Sequence, residues 1–98
     1  MAKKLWSVFT KDMTHCYFTG TPSCHRHHII YGPYRKKSEQ YGFIIPIAYY
    51  LHEHEKDSVH ENPNHGLDLQ LKQMAQRYWE EHYGTREEFI QTFGKNRL

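Results

Sequence analysis

Nine histidines stand in this 98-residue chain, at positions 15, 25, 27, 28, 52, 54, 60, 65 and 82, and seven of them fall between 15 and 60. A neutral imidazole is a good ligand for a first-row divalent ion and a proton acceptor near physiological pH. The adjacent pair His27 and His28 stands out, with His52 following His28 by 24 positions and His60 eight residues further on. Neighbouring side chains on a regular strand point to opposite faces, so these two cannot both meet one ion. One can ligate an ion while the other addresses a nearby water from a distorted strand end. His54 and His65 flank the candidates as ligands or bystanders. His15, His25 and His82 read as solvated polar residues, His82 at a helix end where an imidazolium favours the C-terminal dipole. Cys16 and Cys24 read as buried small hydrophobes. Two cysteines cannot form a disulfide framework or a four-cysteine zinc knuckle.

The elements that must position these groups follow from local signals. The stretch His25–Tyr31 is β-branched and aromatic and is closed by Gly32-Pro33, which predicts a strand. A basic loop, Tyr34–Glu39, follows. Tyr41–Ile47 reads as a second strand with Pro46 at or near its end, and Ala48–Lys56 as a short helix. Asn62–Gly66 is loop chemistry. Leu67, Leu71, Met74, Tyr78 and His82 recur at helical spacing, with Ala75 and Trp79 alongside, and predict a long helix with Leu67, Leu71, Met74 and Tyr78 as its core stripe, ended by Gly84 at C′. Thr85 and Glu88 form a capping box for a last helix, with Phe89, Ile90 and Phe93 on its apolar face and Gly94 as its stop. The expected class is therefore small α+β.

Composition narrows the function. Thirteen basic against 11 acidic residues leave a formal charge of +2. That excludes a polybasic tail and a strongly acidic decoy, and allows a local basic patch of the kind that meets phosphates. The mean hydropathy is −0.91, yet 15% of the residues are aromatic, which argues for a small aromatic core and against disorder. One domain is expected over residues 1–98, without room for a large enclosed cofactor site. The longest apolar run, Phe43–Leu51, is interrupted by Pro46 and falls short of the roughly 18 residues of a membrane helix. The first residues carry no apolar signal region, so a reducing, cytoplasmic setting is expected.

Several motifs in one order carry a resemblance. His25–Gly42, Leu51–Glu53, Val59–Asn62, Leu67–Lys72 and Phe93–Asn96 together resemble small phage and prophage proteins of the HNH nuclease superfamily, of the recombination-enhancement nuclease type. The resemblance spans Cys16–Leu98. It implies a ββα-metal hairpin-helix core over residues 16–62, after an N-terminal extension of residues 1–15 and before a helical part over 64–98. It further implies His27 as a metal ligand, His28 as general base, and His52 and His60 as the remaining ligands of one divalent ion. Three nitrogen donors suit Zn, Ni, Co or Mn better than Mg, although availability can override preference. Arg35, Lys36 and Lys37 match a segment that would lie near DNA in the family.

The chain departs from the family pattern in three places. Glu53 stands where an Asn follows the helix His, Tyr34 stands where an Asn precedes the basic pair, and the Cys-x-x-Cys pairs of many relatives are missing. Glu53 and His54 are candidates to orient the metal-bound imidazoles from behind. Two functions are thus expected to compete: a metal-dependent DNA endonuclease of phage or mobile-element origin, and a decayed nuclease scaffold that binds DNA or a phage or host protein, for example as an inhibitor of a host defence nuclease. A third is a small protein whose metal is purely structural.

Overall fold

The computed structural model describes residues 5–52 and 66–98. Their order is β1 (Cys24–His28), a 3-10 turn (Gly32–Tyr34), α1 (Arg35–Tyr41), β2 (Ile44–Ala48), α2 (Tyr49–His52), α3 (Gly66–His82) and α4 (Arg86–Phe93). The fold is a small α+β arrangement in which β1 and β2 pair antiparallel and the helices cover the hairpin. Among the described residues no helix is long and apolar enough to cross a membrane.

The first strand is shorter than its apolar pattern suggests. Ile29 still donates to Phe43 O at 2.9 Å. At Ile30, however, the fully buried Ser38 hydroxyl takes the partner's place: it accepts from Ile30 N at 3.2 Å and donates to Ile30 O at 2.5 Å. A side chain has replaced a ladder rung, and the strand ends.

The expected basic loop is a helix. Pro33 lies in the opening positions of the 3-10 turn, where its missing N–H costs nothing, and Arg35–Tyr41 continues as α1. Gly42, read from sequence as the second residue of a strand, is the left-handed C-cap of that helix at φ 71°. A Cβ there would meet the Trp6 ring at 2.7 Å, so both conformation and space require glycine. β2 therefore begins only at Ile44.

Pro46 sits in the middle of β2 rather than at its end, opposite Arg26. Its carbonyl accepts from Tyr17 N at 2.8 Å, away from β1. In an antiparallel strand the N and C=O of one residue face the same side, so no rung between the strands needs a donor from Pro46.

All five residues of β2 are buried, and behind them lies an aromatic core. Phe43, Trp79, Phe89 and Phe93 meet at ring-centroid distances of 5.0 to 6.0 Å. Val8 and Phe9, in the segment expected as an N-terminal extension, pack against it, with Val8 N bonded to Gly42 O at 2.9 Å. Cys16 is buried, as expected, whereas Cys24 is half-buried; both are free thiols.

α3 appears where its periodicity predicts: Leu71, Ala75 and Trp79 lie in the core, Leu67, Met74 and Tyr78 pack against it half-buried, and His82 is exposed. The same helix also buries three polar side chains that the apolar pattern does not announce, Asp68, Lys72 and Gln76. The capping box of α4 is present, Thr85 Oγ1 accepting from Glu88 N at 3.1 Å and Thr85 N donating to Glu88 Oε1 at 3.0 Å. Gly84 follows α3 without a positive φ. Its lack of a side chain instead leaves room for the Glu88 carboxylate, 2.8 Å from where a Cβ would stand.

Candidate active site along the edge of the hairpin

β1 places its side chains by simple alternation: His25 and His27 on one face, Arg26 and His28 on the other. α2 starts one residue after β2, and its first amide, Tyr49 N, donates to Ser23 O at 3.3 Å. That short connection sets His52 beside the strand. Its ring centroid lies 5.0 Å from His27 and 4.7 Å from His25. His27 is 2% exposed. The Nδ1 atoms of His25 and His52 are 2.7 Å apart.

On the opposite face His28 reaches α1. Its Nε2 lies 3.0 Å from Glu39 Oε2, with both side chains half-buried. The formation of α1 in place of a loop creates this contact, since one helical turn carries Glu39 back from Arg35 toward the strand. An ordered carboxylate that accepts from one imidazole nitrogen fixes the tautomer, leaving the lone pair on Nδ1.

A cleft of about 410 Å³ joins the two faces across the outer edge of β1. Arg26, His27, His28, Tyr31, Arg35, His52 and Leu5 line it, with no carboxylate at its wall among the described residues. Three imidazoles and two guanidiniums thus surround one solvent-filled space. Such a lining suits an anion, because planar guanidinium groups match phosphate oxygens and no carboxylate lines the cleft among the described residues.

Beneath the cleft lies a buried polar network. Lys72 and Asp68, one turn apart on α3, form an ion pair at 2.8 Å with side chains 4% and 0% exposed. Tyr31 donates to Asp68 Oδ1 at 3.1 Å and accepts from Lys72 Nζ at 3.3 Å, and the ammonium lies 4.4 Å from the Tyr31 ring centroid. Burial and the Asp68 carboxylate push the Tyr31 phenol up to about 12. Burial pulls the Lys72 ammonium below its usual range, with Asp68 opposing. The ring of Tyr31 stands 5.8 Å from that of His27, so this network props one wall of the cleft.

The basic triplet divides. Arg35 lines the cleft. Lys37 donates to Thr92 O at 2.9 Å and lies over the Tyr34 ring, bracing the end of α4. Lys36 is exposed on α1. Tyr34 packs on Phe93, and its hydroxyl occupies the space that a Cβ at Gly94 would need. His25, read from sequence as a solvated bystander, belongs to the imidazole cluster. The signal for it was the i, i+2 spacing to His27, which alternation makes a same-face pair. Asp68 and Lys72 carry no such signal, because an i, i+4 ion pair ordinarily marks a solvated helix face. Glu53, His54, His60 and His65 lie outside the described residues.

The residues present fit a divalent ion in part. His27 and His52 bring neutral nitrogen donors to one cleft wall, the donor type such ions favour. Among the described residues, no group of three or more His, Cys, Asp or Glu side chains is gathered to hold a metal. Comparison with protein-family models, curated proteins and solved structures finds no match.

Proposed function

We propose that the chain is a metal-dependent DNA endonuclease of the HNH type, with a ββα-metal site, of phage or mobile-element origin and acting in the bacterial cytoplasm. The observation that carries this reading is the one cleft lined by His27, His28, His52 and Arg35. Residues from a strand, a helix start and a distant short helix converge there, and they are the types that phosphodiester hydrolysis needs.

His27 and His52 would hold the ion, with His60 as the third donor that the family resemblance implies. When bound, a divalent ion stabilises charge on a phosphate oxygen and on the leaving 3′-oxygen. His28 takes a proton from the attacking water. Its bond to Glu39 favours that role, because the carboxylate stabilises the imidazolium that forms. Arg35 and Arg26 neutralise and orient the DNA phosphate, since charge-assisted bonds to guanidinium are both strong and directional.

The test is nicking of supercoiled plasmid and of single-stranded DNA by chelator-stripped protein given Zn, Ni, Mn or Mg. Wild-type cleavage that falls about 10²- to 10⁴-fold in His28→Ala, with metal binding kept, is expected of a lost general base. Wild-type protein that binds metal and DNA but cuts neither substrate would overturn the nuclease reading in favour of a binding protein on a nuclease-like scaffold.

A further inference from the structure

His25 is the imidazole that no role in hydrolysis requires, yet it makes a close polar contact within the cluster. Its Nδ1 lies 2.7 Å from His52 Nδ1. Two nitrogens on one tetrahedral ion, at bond lengths of about 2.0–2.1 Å, sit roughly 3.3 Å apart. The His25–His52 contact is instead hydrogen-bond geometry, in which one Nδ1 carries the proton and the other the lone pair.

The direction follows from the reading of His52 as a metal ligand. His52 lines the cleft with His27 and His28; His25 does not. His25 faces a separate opening beside Met13, Thr14, Pro22 and Cys24. Its ring is held from the other side by Tyr49, whose centroid is 4.2 Å away. β1 supplies His25, paired with Ile47, so its backbone position is set by the hairpin register. If His25 donated, the neutral His52 ring would carry its own proton on Nε2 and offer no lone pair to the cleft. If His25 accepts, His52 is protonated on Nδ1 and its Nε2 becomes the electron-pair donor.

We propose that His25 is a positioning residue that accepts a hydrogen bond from His52 Nδ1, fixing the tautomer and ring angle that let His52 Nε2 bind a divalent cation. The inference rests on the reading of His52 as a metal ligand. It gives this chain an imidazole where outer ligand-orienting groups are more often carboxylates or backbone carbonyls. Because histidine accepts through Nδ1 only in its Nε2–H form, the arrangement also holds His25 itself in one tautomer.

The experiment titrates the full chain with Co(II), read by its visible absorption, and with Zn(II) in competition with a chromophoric chelator. Wild type, His25→Ala and His25→Asn are compared, with circular dichroism to confirm folding. The Asn side-chain oxygen can accept where Nδ1 did. Loss of an outer orienting partner typically weakens metal binding about 10- to 100-fold, and that is the drop expected for His25→Ala. Its Co(II) band positions should stay those of wild type, and His25→Asn should recover most of the affinity. Unchanged affinity in His25→Ala would overturn the proposal. So would shifted Co(II) bands, which would make His25 a ligand, or a folded His25→Asn that binds as weakly as the alanine variant. A wild-type chain that binds neither ion would sink the metal reading itself, an outcome separable from the other three.

Discussion

Between β2, α3 and α4 the contacts are aromatic and closed, whereas along the outer edge of β1 they are polar and open. Phe43, Phe89 and Phe93 are wholly buried, so each substitution there must leave a cavity or force a shift. His28, Arg26 and Arg35 face a cleft of about 410 Å³, where a changed side chain can be replaced by water. The first region sets stability and the second is free to carry chemistry. The buried Asp68–Lys72–Tyr31 network lies where the two regions meet and belongs in part to each.

The largest expected effect tests the closed side. Phe93→Ala should cost about 3–5 kcal/mol in urea unfolding, as large aromatic truncations do, out of a total of about 5–15 kcal/mol for a typical domain. A loss under about 1 kcal/mol would mean that the aromatic core is not what holds the helices. Next, Lys72→Met keeps volume but strands the Asp68 carboxylate, and should cost about 3 kcal/mol. If Asp68→Leu combined with Lys72→Met restores stability while DNA cleavage stays impaired, the network serves the cleft rather than the fold.

The same network has a pH signature. The folded Tyr31 phenol titrates at about 12, above its ordinary value of 10.0. Above the ordinary value the unfolded chain binds fewer protons than the folded one. Its contribution is thus fully present below pH 10 and is lost as pH rises toward 12. Tyr31→Phe should remove that part of the alkaline slope in unfolding curves taken across this window; an identical slope in the variant would contradict the burial.

Smaller effects probe the open side. Glu39→Gln keeps the shape beside His28 but removes the charge that stabilises an imidazolium. Cleavage should fall at least about tenfold, with unfolding midpoints unchanged. A large stability loss without a rate effect would move this pair to the structural side of the comparison. The smallest is Thr85→Ala at the α4 cap, about 1 kcal/mol and without influence on cleavage or metal binding.

Much of this architecture was legible because its signals are local. Thr85 and Glu88 are three residues apart, and their capping box formed as read. α3 formed over the whole periodic stretch from Leu67 to His82. His27 and His28 are split between faces as strand alternation requires, and with His52 they meet at one cleft. Misreadings occurred where distant partners outweighed local pattern. Arg35–Glu39 looked like a solvated basic loop, but α1 is anchored by the buried Ser38 hydroxyl on Ile30 and ended by Gly42 under Trp6. The burial of Asp68 and Lys72 on α3 was not legible either, because it depends on Tyr31, which is 37 residues from the acid.

By itself the sequence determined the small α+β class, the two C-terminal helices and the histidine-bearing hairpin. Hydrophobic period, caps and turn residues act over one or two turns of chain and need no distant contact. Only the tertiary structure decided that Arg35 and not Lys37 reaches the cleft, that Glu39 backs His28, and that His25 stands behind His52. Each of those outcomes depends on the β1–β2 register and the short link into α2, which place groups 11 to 27 residues apart within hydrogen-bond reach. No local pattern encodes that register; packing of the whole hairpin against α3 and α4 selects it.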